Sequence, residues 1–215
     1  HKKWLGDLSD KKVLDLGCYA GNALSIYMAE RAQSYIGLDL SDVGIERLNK
    51  RLNDLPNAKA IAADFLSEND FPEKDFDVIY AYGVLHHFPN MDVLINTINK
   101  KMKNEAIVIS YDPLETSTSV KIIRSLYRPF QSDADWEWPF TKKTVQKLSE
   151  SFKVVERRGL LGRTKWLMLL NILPFSKERK IEMGLKWHQK DWEKSLNSDK
   201  DLFRCMHVTM LMQKK

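Results

Sequence analysis

Cysteine is almost missing from this chain: two among 215 residues, Cys18 and Cys205. Neither sits in a CxxC spacing, which argues against a disulfide framework or a cysteine zinc site and makes a reducing cytoplasm the expected compartment. No run of about 20 apolar residues spans a bilayer, and nothing reads as a secretory leader. Internal repeats and low-complexity stretches are absent, and no His/Cys/Asp/Glu cluster has convincing metal-ligand spacing. The sequence starts at His1 rather than Met, as a piece of a longer chain would. What remains is ordinary globular material, 43% apolar and 29% charged, with enough length for one domain and a substantial core.

The net charge of +5 hides an asymmetry. Residues 1–112 hold 13 Lys/Arg against 17 Asp/Glu, whereas residues 113–215 hold 21 against 12. Such a split points to two tasks, the second facing something anionic, although solvated lysine-rich helices would produce the same count.

Apolar runs alternate with helical periodicity. KKVLDLG, SYIGLDL, AKAIAAD, FDVIYAY and EAIVISYD read as strands, the third ending at Asp64. NALSIYMAERA, SDVGIERLNKRLNDL and FPNMDVLINTINKKMK read as the helices between them, with Ser41 as an N-cap. This alternation predicts right-handed crossovers and a doubly wound, Rossmann-like α/β sheet. TKKTVQKLSESF is a further helix capped by Thr141, with Phe140 and Val145 as a staple. FKVVERRG and CMHVTMLMQ complete seven strands, the last one antiparallel. The expected organisation is one domain over 1–215, with a core at 10–112 and insertions at 113–150 and 159–204.

The first strand runs into a glycine-bent turn, VLDLGCYAGNAL, and acids recur at Asp15, Asp39 and Asp64. All three fall at the carboxyl end of the sheet, where open α/β folds bind ligands. Asp39, at the end of the second strand, is placed to accept hydrogen bonds from ribose hydroxyls. A dinucleotide fits poorly. Gly17 and Gly21 are four apart, and Tyr19 stands where a pyrophosphate-binding turn needs glycine. Asp15 on the lip of the site would repel phosphate by roughly 4 kcal/mol per close charge pair. A nucleoside carrying positive charge and no phosphate suits such a rim.

In order and spacing, VLDLGCYAGNAL, YIGLDLS, AIAADF and FDVIYAYGVLHHF resemble the successive motifs of class I S-adenosylmethionine-dependent methyltransferases, in particular the small-molecule group that includes quinone-biosynthesis enzymes. The resemblance spans roughly residues 10–112. It implies S-adenosylmethionine as the methyl donor, with Asp15, Gly17, Tyr19 and Gly21 around its methionine part. Asp39 would take the ribose and Leu40 the adenine face. Asp64 would accept from the adenine amine beside Phe65, and Ala81 and Tyr82 would approach the methionine end. Tyr19 departs from the glycine many members carry there, which negative φ would accommodate. It is open whether Tyr19 faces the sulfonium or packs under a lid.

Methyl transfer to a hydroxyl needs alignment, a dry pocket and a base. His86 and His87, just beyond the fourth strand, are the catalytic candidates; both could instead be packing residues. Asp112, Asp135, Glu137 and His188 are further base candidates. The chain lacks the Pro-Cys of pyrimidine-ring attack and the [ND]PP[YF] of amino-methylating members. A small-molecule or lipid- or glycan-linked acceptor is therefore expected, with oxygen as the favoured atom. YRPFQSDADWEWPF offers Trp136, Trp138 and Phe140 either as an acceptor platform, with Asp133 among its acids, or as a clasp. GLLGRTKWLMLLNILPFSKERK predicts an apolar helix carrying Trp166, Leu169, Leu170 and Leu173. Cations flank it, so residues 160–180 could touch the inner face of a membrane, dock a greasy acceptor, or simply pack. An RNA methyltransferase using the basic half, and a non-catalytic cofactor-binding scaffold, are the alternatives.

Overall fold

A computed structural model describes residues 1–130, 134–167 and 174–215. Seven strands form one sheet: β1 (Lys12–Leu16), β2 (Ser34–Asp39), β3 (Ala58–Ala62), β4 (Phe76–Tyr82), β5 (Met102–Pro113), β6 (Phe152–Leu160) and β7 (His207–Lys214). Their order is β3-β2-β1-β4-β5-β7-β6. Pairings from β3 through β5 are parallel, and β7 is antiparallel to both β5 and β6. This is the doubly wound sheet the alternation implies, with β6 at the edge. The third strand stops at Ala62, so Asp64 lies two residues beyond it.

The helices begin where short polar side chains can satisfy free backbone N–H groups. Asn22 and Ser25 close a capping box on α2 (Ala23–Ala29). Ser41 accepts from Gly44 N at the start of α3 (Asp42–Leu52), which has Asp42 in its first turn and Lys50 and Arg51 in its last, matching the helix dipole. Asn90 caps α4 (Met91–Lys101), so the helix starts three residues later than the sequence pattern places it. Thr141 and Thr144 box the start of α6 (Lys142–Ser151). Phe140 before it and Val145 within it are buried in the same cluster. A short α1 (Lys2–Leu5), α5 (Thr118–Tyr127), α7 (Lys177–Asn197) and α8 (Asp199–Leu202) make up the other described helices. Around Trp166 the chain forms a 3-10 turn, Thr164–Trp166. Residues 168–173 of the expected apolar helix, which include Leu169, Leu170 and Leu173, lie outside the described residues, as does Asp133. Among the described residues, no helix is long and apolar enough to cross a membrane.

Strand alternation divides the core into two faces. Leu14, Leu16, Ile79 and Val108 pack with α4 and α6 residues such as Ile98 and Leu148. Val13, Tyr35, Val78 and Ile109 pack with Met28 of α2 and Leu48 and Leu52 of α3. Asp15 follows the second set and is only 2% exposed. The expectation that its carboxylate stands on the lip of the ligand site is therefore incorrect: the pleat turns the side chain under α2, where Tyr35 Oη donates to it at 2.7 Å.

Burial raises the Asp15 pKa from 3.8 to about 6; hydrogen bonds from Ser25 and Tyr35 oppose the shift, and the nearby Asp39 charge adds to it. A carboxyl whose folded pKa is raised favours the folded state fully at pH below 3.8, and that contribution is lost as pH rises through 6. Asp15→Asn keeps an acceptor for Tyr35 and removes the titration. Urea unfolding should show the variant gaining about 2 kcal/mol relative to wild type between pH 4 and pH 7. A stability difference that does not change with pH would contradict the buried carboxyl.

Candidate functional site

The turn after β1 is built by close approach. Gly17 has φ +72°, and a Cβ there would stand 2.5 Å from Val84 Cβ. Gly21 has φ +73°, and its missing Cβ gives room to Leu48 of α3. Gly17 N–H donates to Leu38 O at 2.7 Å, tying the turn to the end of β2. Tyr19 also adopts positive φ, +45°, where the sequence reading required negative φ. Its ring lies on Gly44 of α3, at a distance only glycine permits, which offsets the left-handed strain. Half-exposed on that helix, the ring does not line the cavity below.

That cavity, of about 310 Å³, opens at the carboxyl ends of β1, β2 and β4. Gly17, Asp39, Leu40, Asp64, Phe65 and His87 of the expected set line it together. Asp15, Gly21, Ala81, Tyr82 and His86 do not. Asp39 is pinned by Tyr19 N–H on Oδ2 and Ser41 N–H on Oδ1, each at 2.9 Å. Every carboxylate oxygen offers two lone pairs, so acceptor capacity remains on both. Asp64 Oδ1 likewise takes Leu66 N–H at 2.9 Å. Phe65 meets Phe88 edge to face at 6.2 Å. Two carboxylates between apolar walls suit a nucleoside and disfavour phosphate. The negative rim thus exists, supplied by Asp39 and Asp64 without Asp15. Gly83, Val84 and Phe88 also line the cavity. Sequence reasoning missed them because a wall contributed by the loop after β4 depends on how closely β4 approaches β1.

Beside the cavity, Leu85–His87 form a 3-10 turn. His87 Nδ1–H donates to Trp136 O at 2.9 Å, and Trp138 N–H donates to His86 O at 2.7 Å. Residues 136–138 therefore clasp the histidine pair through backbone. Trp136 itself is 70% exposed. His86 is buried, and its Nδ1–H donates to Asp112 Oδ1 at 3.0 Å. Its Nε2 lies 3.8 Å from Glu137 Oε1, and Glu137 Oε2 lies 4.0 Å from Arg124 Nη1. Burial pushes the Asp112 carboxyl upward, against the lowering effect of His86. His207, at the start of β7, is held down to about 4 by burial, with the charges of Arg124 and His86 adding to the effect. Asp112 Oδ2, Arg124 Nε and His207 Nδ1 are buried with no hydrogen-bond partner.

Tyr82 stacks on Tyr111 at 4.6 Å, and Tyr111 on His207 at 5.2 Å. Two base candidates fall outside this cluster: Asp135 is exposed, and His188 lies on α7 near Trp192. Arg124 and His207 carry no local signal; only the pairing of β5 with β7 and the return of α5 bring them to His86. Among the described residues no group of three or more His, Cys, Asp or Glu could hold a metal.

Known proteins agree with this frame. A model of the methyltransferase domain matches residues 2–157. The fatty-acid O-methyltransferase of Mycolicibacterium smegmatis is 27% identical over 159 residues, covering 72% of this chain and 51% of that protein. The ubiquinone biosynthesis O-methyltransferase of Neisseria meningitidis serogroup A is 30% identical over 108 residues, covering 47% and 44%. The chain thus spans about half the length of these curated relatives. In fold it is similar to the N-methyltransferase NodS from Bradyrhizobium japonicum WM9, solved in complex with S-adenosyl-L-homocysteine. The TM-score is 0.58 at 14% identity, over 95% of this chain and 78% of that one. With three-quarters of its length under that model and the seven-stranded sheet in place, the chain belongs to the methyltransferase-domain family.

Proposed function

We propose that the protein transfers a methyl group from S-adenosylmethionine to an oxygen of a small or lipid-linked acceptor, with His86 accepting the proton. Family membership and the phosphate-averse cavity support the donor. The observation that carries the acceptor side is the set of unpartnered buried atoms around His86. Buried polar groups are almost always paired, so Asp112 Oδ2, Arg124 Nε and His207 Nδ1 mark where a polar ligand completes the bonding.

The bound donor supplies an electrophilic methyl group on a sulfonium. Asp39 accepts from the ribose hydroxyls with the lone pairs that Tyr19 and Ser41 leave. Leu40 and Phe65 cover the adenine, and Asp64 accepts from its amine. Gly17, with Tyr19 and Gly21, keeps the backbone of the turn close to the methionine end. Asp15 supports that turn from beneath, as Ala81 does from β4. Asp112 fixes the Nδ1–H tautomer of His86 and leaves Nε2 as the acceptor. As the acceptor oxygen bonds the methyl carbon, the carbon–sulfur bond breaks to release S-adenosylhomocysteine, and His86 Nε2 takes the hydroxyl proton. His87 closes the wall of the donor cavity, and the Tyr82–Tyr111 stack offers a flat apolar surface beside it. Residues 113–150 contribute Arg124, Glu137 and the clasp to the acceptor side.

Asp39→Ala should weaken S-adenosylhomocysteine binding in calorimetry by about 1–3 kcal/mol, because ribose hydroxyls lose a buried acceptor. Unchanged affinity would remove Asp39 from the donor site. His86→Gln, assayed with hydroxylated aromatic and fatty acceptors, should lower kcat by roughly 10²- to 10⁴-fold while S-adenosylhomocysteine affinity holds. Turnover equal to wild type on a competent acceptor would leave His86 a packing residue.

A further inference from the structure

A second cavity lies apart from the donor site, under the C-terminal half of α7. It encloses about 250 Å³ and is lined by Ser119, Gly162, Arg163, Lys165, Trp166, Lys190, Asp191, Lys194, Asp201 and Arg204. Five cations thus face two acids. Both acids are already engaged by the protein. Asp191 is buried and accepts from Arg163 N–H, Thr164 N–H and Thr164 Oγ1–H at 2.6–3.1 Å. Asp201 accepts from Ser198 Oγ–H at 2.8 Å. Four of the five cations have no such relief. Among the described residues, Arg163, Lys190, Lys194 and Arg204 form no ion pair. Lys165 is buried, its Nζ donating to Arg204 O at 2.6 Å.

Like charges gathered around a concavity repel one another, and nothing in ordinary folding requires them to converge there. Solvated lysines would spread along α7, as Lys186 does when it pairs with Glu182 one turn away. Here Lys190 and Lys194, four residues apart on one helix face, meet Arg163 and Arg204 from two other segments. Convergent, unpaired guanidinium and ammonium groups are the chemistry that recognises phosphate oxygens. The volume is small for a whole nucleotide or drug-sized ligand and sufficient for one or two phosphate groups. Arg163 and Thr164 give their N–H groups to Asp191, so the remaining donors on offer are side chains.

We infer that this cavity is an anion site for a phosphate or diphosphate group, carried by a soluble metabolite or a lipid head. The inference does not depend on the methyl-transfer reading. Its five cations and two acids supply +3 of the net +9 carried by residues 113–215.

Isothermal titration calorimetry with sodium pyrophosphate on the intact chain reads the soluble form directly. Co-sedimentation with vesicles of phosphatidic acid in phosphatidylcholine, against phosphatidylcholine alone, reads the lipid form. Lys190→Glu/Lys194→Glu alters two exposed helix positions, and Arg163→Ala is a second, milder variant. S-adenosylhomocysteine titration of each variant shows that it is folded. The expected result is one pyrophosphate site per chain, or vesicle binding that needs phosphatidic acid. Each variant should weaken either form by about tenfold or more at constant salt while keeping donor affinity. Absence of binding in both arms would overturn the site. So would binding that folded variants retain, because that is the behaviour of a diffuse basic surface.

Discussion

The approach of Val84 to Gly17 is the contact on which the cavity at the sheet's edge, the proposed donor site, depends. A Cβ at position 17 would fall 2.5 Å from Val84 Cβ, so only glycine lets the loop after β4 close over the turn after β1. That closure does three things at once. It holds Gly17 N–H on the carbonyl of Leu38, and so aligns the end of β2. It presents Tyr19 N–H to Asp39, which fixes the carboxylate that faces the cavity. It also sets the direction in which the chain leaves β4 toward His86 and His87. A substitution at Gly17 would disturb the cavity and the histidine turn together.

A second consequence is the way polar groups are distributed between fold and function. Asp15 is polar, central and fully occupied by its neighbours, so it supports the turn without meeting a ligand. Asp39 and Asp64 have their backbone duties satisfied and keep capacity to spare. Asp112, Arg124 and His207 are buried but incomplete. Desolvating a polar atom without a partner costs about 1–3 kcal/mol, an expense a fold tolerates where a ligand later supplies the missing bond. The satisfied Asp15 lies on central β1, the partly satisfied acids lie on its β2–β3 side, and the unsatisfied atoms gather near β5 and β7 on its other side.

Much of this was legible in the sequence because it is local. Alternating periodicities located the strands, Ser41 and Thr141 announced their helices, and Asp39 at the end of β2 and Asp64 just past β3 marked the rim of the cavity. The errors arose where geometry decides. Strand pleat turned Asp15 away from the rim, a distinction of one residue's orientation that composition does not contain. Tyr19 took the left-handed conformation because Gly44, 25 residues later, leaves space for its ring. Arg124 and His207 join His86 only through long-range pairing of β5 with β7. The convergence of Lys190, Lys194, Arg163 and Arg204 was visible in sequence only as excess charge, because three separate segments supply it.

The central claim is that the rim of the sheet is shaped and charged for a nucleoside with a sulfonium and no phosphate. Calorimetry of the intact chain with S-adenosylhomocysteine and, separately, with NAD tests it most directly. Saturable one-to-one binding of S-adenosylhomocysteine with no heat from NAD is the expected result, since Asp39 and Asp64 have no cation beside them in the cavity to receive a pyrophosphate. Tighter binding of NAD, or silence toward S-adenosylhomocysteine, would contradict it.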